Sequence, residues 1–276
     1  MTYGFIGTGN MAGALVRAAV KCTAAEDILL ANRTREKAER LAAELGCRVT
    51  DNETAARTAD MIFLGVKPQM MPQMLGQLAP VLRARRERFV LVSMAAGLSI
   101  AQIQSMAGGD YPVIRIMPNL AASVGEGVIF YTANAAVSAE ETEAMLALFA
   151  KAGRCYPLAE ELFGAGSAIA GCGAAYVSLF VEALADGGVS CGLPRAVATE
   201  CAEQMLFGAA KLLLEGSEHP AVVKDKVCSP GGTTIQGVRA LERAGFRSAV
   251  IEAVTAAYEK DRALGSAQRA EKDVDK

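Results

Sequence analysis

Directly behind a short apolar run near the start of this chain sits a cluster of very small residues. Gly7-Thr8-Gly9-Asn10-Met11-Ala12 follows Tyr3-Gly4-Phe5-Ile6 and opens a helical pattern that reaches about Lys21. The small positions do separate jobs. Gly7 permits a tight turn and Gly9 lets the backbone approach a pyrophosphate. Ala12, with Gly13, lets helix and strand pack closely. A helix start presents free N–H groups and the positive end of its dipole to phosphate. In a strand–turn–helix setting, this pattern predicts a dinucleotide site.

The segments downstream repeat the alternation. Residues 27–31, 60–66 and 89–93 are nearly continuous apolar runs, as expected of strands covered on both sheet faces. A charged helix opens at Thr34 and reaches about Leu45. Further strands are expected at 111–116, at 127–131 and near Cys155 to Leu158. Ser99-Ile100-Ala101-Gln102 and Ser138-Ala139-Glu140-Glu141 have capping-box spacing and predict helix starts. Alternating strands and helices predict a Rossmann-type α/β domain with a parallel sheet. Beyond about residue 162 only helical pattern remains, over roughly 172–187, 195–215, 233–244 and 247–264. Ser266 to Lys276 reads as a frayed polar tail. The expected division is a cofactor domain over 1–160 and an all-α domain over 161–276.

Composition excludes several classes. Lys plus Arg is 28 against 30 Asp plus Glu, which argues against nucleic-acid binding. The 7 cysteines form no CxxC pair, and their odd number fits a reducing cytoplasm better than a disulfide framework. A single histidine, His219, argues against a His-rich metal site, and no metal is expected. His219 precedes Pro220 and reads as helix-start punctuation. No signal peptide is evident. Leu162 to Val181 is uncharged and long enough to span a bilayer. Its glycines, at 164, 166, 171 and 173, make its first half read as a loop and the rest as a helix in a domain or subunit core rather than in a membrane.

The end of the second strand bears on the cofactor. An NAD-preferring site usually has a carboxylate there for the ribose hydroxyl. This chain has Asn32-Arg33-Thr34, with Arg35 and Lys37 beyond. Arg33 can pair with a 2′-phosphate, unless it is simply a solvated surface residue, and Thr34 can cap the following helix. NADP(H) is therefore expected, with NAD(H) the weaker alternative. Lys67, in Val66-Lys67-Pro68-Gln69, sits at another strand's carboxyl end, either facing ligand or solvated. Met94-Ala95-Ala96-Gly97 offers small residues for a flat ring or for close packing.

Gly7-x-Gly9-Asn10-Met11, Val66-Lys67-Pro68-Gln69, Ala95-Ala96-Gly97, Arg115-Ile116-Met117-Pro118-Asn119 and Ser229-Pro230-Gly231-Gly232-Thr233-Thr234 occur in this order. Together they resemble the Δ1-pyrroline-5-carboxylate reductase family, over nearly the whole chain to about Leu264. The resemblance implies NAD(P)H-dependent hydride transfer to a small cyclic imine, giving L-proline. It implies a cytoplasmic homodimer built through the C-terminal helices, and in some members larger rings of dimers. It also implies a cofactor site from Ile6, Gly7, Thr8, Gly9, Asn10, Met11, Asn32, Arg33, Thr34, Asn52, Val66, Lys67, Pro68, Ala95 and Ala96. The implied substrate site uses Ser229, Gly231, Gly232, Thr233 and Thr234, with Met117, Pro118, Asn119 and Glu160 nearby. Two departures fall on the expected pocket wall. The family's Asn-Thr-Pro reads Asn119-Leu120-Ala121 here, and its Ser-Gly-Ser-Gly-Pro-Ala-Tyr reads Ala170 to Tyr176 with Cys172 and Ala174.

A Pro-Gly-Gly turn ahead of a helix exposes N–H groups that, with the Ser229 and Thr233 hydroxyls, suit a carboxylate. Thr234 is the candidate catalytic residue, placed to hydrogen-bond the ring nitrogen as it becomes an amine. Tyr176 is a possible donor but reads first as a helix-packing residue. Two rivals remain. A β-hydroxyacid dehydrogenase needs Lys and Asn on the first helix of its helical domain, and residues 172–185 contain neither. A non-catalytic NADP-binding sensor would bind cofactor without turnover.

Overall fold

The computed structural model describes the backbone of residues 1–274 and the side chains of residues 1–263. Eight strands form one sheet: β1 (Tyr3–Ile6), β2 (Ile28–Ala31), β3 (Arg48–Val49), β4 (Met61–Leu64), β5 (Val90–Ser93), β6 (Val113–Met117), β7 (Gly127–Ala133) and β8 (Gly153–Pro157). Helices α1 (Asn10–Ala19), α2 (Arg35–Leu45), α3 (Asn52–Thr58), α4 (Met71–Ala84), α5 (Ile100–Ala107) and α6 (Ala139–Leu148) alternate with them. The sheet order is β3-β2-β1-β4-β5-β6-β7-β8. The chain winds outward from β1 through β2 and β3, then returns to place β4 on the other side of β1. That reversal makes the carboxyl ends of β1 and β4 the switch point where open α/β sheets bind ligands.

All neighbouring strands are parallel except β6 and β7. The exception has a simple cause. Residues 118–126 join them, too few for the crossover that a parallel return needs. Alternate strand residues feed two cores. Phe5, Phe63 and Val92 pack with Leu15, Leu41 and Leu148 on one face; Ile6, Ile62 and Leu91 pack with Leu75, Leu78 and Ile103 on the other. Phe5 and Phe63 stack with centroids 4.3 Å apart. Both predicted capping boxes form, at Ser99 with Gln102 and at Ser138 with Glu141.

Cα packing divides the chain into two compact units, residues 1–171 with 258–276 and residues 172–257. From Glu160 the chain is helical through a 3₁₀ turn, α7 (Phe163–Gly166), a π-helical turn (Ser167–Gly171) and α8 (Cys172–Ser190). The expected loop over the first half of the uncharged stretch is therefore replaced by helix. Buried Phe163, Gly166 and Ala168 hold it there despite the glycines. The second unit continues with α9 (Arg195–Glu215), α10 (Pro220–Val227) and α11 (Thr233–Arg243); α12 spans Phe246–Val274. The expected frayed tail is helical through Val274, because Ala, Gln, Arg, Glu and Lys in that stretch are good helix formers. Asp275 and Lys276 lie outside the described residues.

The second unit's own core is small, built around Ala185, Ala198 and Ala202. Leu179 is 69% exposed, Phe207 56% and Ile251 62%. Among the described residues one helical stretch, Glu160–Ser190, has the length and composition to cross a membrane, and only 11% of its apolar window is buried within the chain. Tyr176 spends its hydroxyl on the Ala253 carbonyl, 3.2 Å away, as a packing residue does. His219 caps α10 by accepting the Ala221 N–H at Nδ1.

Candidate functional site

The carboxyl ends of β1, β2, β4 and β5 are in register, with Ile6 beside Ala31 and Leu64, and Leu64 beside Ser93. At this edge Gly7 turns the chain with φ +97°, its N–H donating to the Ala31 carbonyl at 2.7 Å. A Cβ on Gly7 would lie 2.7 Å from the Gly65 backbone, and one on Gly65 would lie 2.6 Å from the Gly7 carbonyl. The turn and the end of β4 thus touch backbone to backbone. The apolar-run reading marked Gly65 only as strand. By contrast, a Cβ on Gly9 would meet nothing within 4 Å, so the space over the start of α1 is open.

A cleft of about 500 Å³ occupies this edge. Ile6, Gly7, Gly9, Asn32, Arg33, Thr34, Asn52, Val66 and Lys67 line it, all predicted. Gly65, Lys37, Met70, Gln73, Met74 and Gln77 line it as well and were not among the predicted site residues. None of its lining residues is a carboxylate. Thr8 and Asn10 line an adjoining recess of about 250 Å³ that Gly9 and Lys37 share. Met11, on α1, Pro68, in the turn before α4, and Ala95 and Ala96, on the loop after β5, do not line the cleft.

Asn32 is a clamp. Its Oδ1 accepts the Thr8 N–H at 3.1 Å and its Nδ2 donates to the Thr34 carbonyl at 2.8 Å. Thr34 occupies the N-cap of α2, but its hydroxyl makes no capping bond. The expected cap is absent and the hydroxyl remains exposed. The start of α1 is likewise uncapped by any side chain, whereas α3, α5, α6 and α10 are capped by Asp51, Ser99, Ser138 and His219. Thr8 Oγ1 is buried without a hydrogen-bond partner. An open cradle over Gly9, an orphan hydroxyl and free helix N–H groups beside unpaired cations fit a phosphorylated dinucleotide.

The remaining predicted residues are split between the two units. In the first, Met117 ends β6, Pro118 is buried, and Asn119 follows. Asn119 Nδ2 donates to the Ala170 carbonyl in the π-helical turn, while its Oδ1 accepts the Val128 N–H, each at 3.1 Å. Glu160 Oε1 accepts the Ile100 N–H at 2.7 Å and pairs with Arg115 at 3.1 Å. Arg115 is only 7% exposed and lies over the Phe163 ring, 4.5 Å from its centroid. Burial pulls the guanidinium below its ordinary pKa, and Glu160 opposes that shift. Asn119, through both ends of its amide, and Glu160, through Oε1, thus hold the segment that leaves the sheet. Glu160 and Arg115 also edge a second cavity of about 520 Å³.

In the second unit, Ser229, Gly231 and Gly232 form the turn before α11. Gly231 has φ +68°, and Gly232 donates its N–H to the Ser229 carbonyl at 3.0 Å. Gly232 is the N-cap and no side chain caps the helix, so its first N–H groups are free of side-chain partners. Thr233 and Thr234, its first two residues, are exposed.

The comparisons with known proteins agree with this layout. Residues 160–264 match the family described as pyrroline-5-carboxylate reductase dimerisation. Residues 2–97 match the family described as NADP oxidoreductase coenzyme F420-dependent. The chain is 42% identical over 265 residues to pyrroline-5-carboxylate reductase of Synechocystis sp., covering 95% of this chain and 97% of that one. It is 39% identical over 264 residues to the Escherichia coli enzyme of that name, with the same coverage. The crystal structure of Plasmodium falciparum pyrroline carboxylate reductase with NADP bound superposes with a TM-score of 0.85 at 30% identity, covering 96% of this chain and 98% of that one. Sheet order, glycine turn, uncapped α11 and these likenesses over nearly the full length together mean that the chain belongs to the pyrroline-5-carboxylate reductase family.

Proposed function

We propose that this chain is an NADP(H)-dependent pyrroline-5-carboxylate reductase, converting the cyclic imine Δ1-pyrroline-5-carboxylate to L-proline as the last step of proline biosynthesis. The carboxylate-free cleft at the switch point carries the reading, since Arg33 and Lys67 line it beside the uncapped start of α1. When bound, the reduced nicotinamide cofactor supplies the hydride. The residues from Ile6 to Met11 cradle its phosphates, with Thr8 offering its unpartnered hydroxyl. Asn32 fixes the loop, Arg33 and Thr34 take the 2′-phosphate, and Asn52, Val66 and Lys67 border the nucleotide. Ala95 and Ala96 leave room for a flat ring. The second unit holds the substrate: main-chain N–H groups at the start of α11, with Ser229 and Thr233, take its carboxylate. Thr234 hydrogen-bonds the ring nitrogen. Asn119 and Glu160 act through the backbone they hold.

The absence of Lys and Asn from α8 favours an imine over an alcohol substrate, because a β-hydroxyacid dehydrogenase manages the hydroxyl proton with that pair. The test is an absorbance assay. NADPH is consumed with pyrroline-5-carboxylate, and 3-hydroxyacids give no reduction of NADP⁺. Binding without turnover would instead indicate a sensor. Replacing Arg33 by Ala weakens NADPH binding by roughly 10- to 100-fold, the worth of one charge-assisted contact, and leaves NADH within about twofold. Equal weakening of both, measured by fluorescence titration, would remove Arg33 from 2′-phosphate recognition.

The exposed apolar face of the second unit, including Leu179, Phe207 and Ile251, is covered in this proposal by a second copy. Dimers are the assembly unit, with rings of dimers an extension of it. A chain that light scattering finds monomeric while fully active would defeat this. The unpaired cysteines suit a cytoplasmic protein.

A further inference from the structure

Lys37, in the first turn of α2, is exposed and borders both the main cleft, with Arg33 and Thr34, and the recess beside Thr8, Gly9 and Asn10. Of the cations near it on α1 and α2, Arg35 pairs with Glu39 at 2.9 Å and Arg17 with Glu44 at 2.7 Å, while Arg40 borders the recess but not the main cleft. Lys37 and Arg33 have no carboxylate partner among the described residues. A cation in a first turn faces the positive end of the helix dipole, an arrangement that Glu36 in the same turn and a bound anion both offset. Asn32 cannot turn toward a ligand, because its amide already bonds Thr8 and Thr34. The groups left to meet a ligand at the end of β2 are Arg33, Thr34 and Lys37. A phosphomonoester carries about −1.5 to −2 charges at neutral pH, more than one guanidinium balances.

We propose that Lys37 is a specificity-determining residue that, together with Arg33, grips the 2′-phosphate of NADP(H) and so selects it over NAD(H). The inference rests on the reading of the cleft as an NADP(H) site. Because the Lys37 stem is exposed, Lys37→Met removes the charge and keeps most of the side chain. Titration of fluorescence with NADPH and with NADH is expected to show NADPH binding weakened about tenfold and NADH binding within twofold of the parent chain. Lys37→Arg is expected to restore the preference, and 2′,5′-ADP should compete less well against NADPH-site probes in Lys37→Met than in the parent. Equal weakening of NADPH and NADH would assign Lys37 to the shared pyrophosphate and overturn the proposal. An unchanged NADPH affinity would overturn it by making Lys37 a solvated residue. A parent chain that binds both cofactors equally would overturn the underlying NADP(H) reading, and that result needs no variant.

Discussion

Thr234→Ala lowers turnover of pyrroline-5-carboxylate by about 100-fold and leaves the NADPH dissociation constant within about twofold, the scale of one lost transition-state hydrogen bond. Thr234 is the second residue of α11, exposed, on a helix whose start no side chain caps. Its hydroxyl is therefore available to a ligand rather than spent on the helix. The cofactor cleft is lined by residues of the first unit, and Thr234, in the second, is not among them. Loss of fold does not offer an alternative explanation, since Ala is a better helix former than Thr and the position is exposed. Thr234→Ser keeps the hydroxyl and is expected to recover most of the rate. Steady-state kinetics with both variants, beside a cofactor titration, make the comparison. A turnover unchanged in Thr234→Ala would remove this residue from the mechanism.

The parts of this fold that sequence reveals are those governed by local chemistry. Gly7 and Gly9 have no substitute where a turn and an open cradle are needed, and Phe5-Ile6 or Ile62-Phe63 must serve two cores at once. Ser99 and Ser138 cap through partners three residues away. What sequence hides is short or distant. β3 has only two residues, Arg48 and Val49, and α3 and α10 are too brief for a periodic signal. The antiparallel turn of β7 follows from connection length rather than from the strand's own residues. The helix through Gly164 and Gly166 overrides glycine's preference for breaks because Phe163 and Ala168 are anchored in the core. The resemblance points Asn119 and Glu160 toward substrate. Their bonds reach Ala170 and Ile100, 51 and 60 residues away, a pairing no local pattern announces. One clue to it was visible: Arg115 is the lone charge in Val113-Ile114-Arg115-Ile116-Met117, and a buried cation needs a partner.

That partner makes Glu160→Ala the variant with the largest expected cost to stability, about 2–3 kcal/mol, or a melting temperature lower by roughly 5–10 °C. The loss has two sources. The Ile100 N–H at the start of α5 loses its acceptor, and the Arg115 guanidinium keeps its burial without its nearest carboxylate. Glu160 is itself 33% exposed and Asp261 adds some opposing charge, which places the value below that of a fully buried pair. Glu160→Gln retains an acceptor oxygen and is expected to lose less. Arg115→Met tests the origin of the effect. Once the guanidinium is gone, Glu160→Ala costs only the Ile100 hydrogen bond, so the double variant is more stable than the two single losses added together, by about 1 kcal/mol or more. Thermal unfolding of the four variants at one pH measures this coupling. Strict additivity would mean that Glu160 supports α5 alone and that Arg115 is satisfied by its stacking on Phe163.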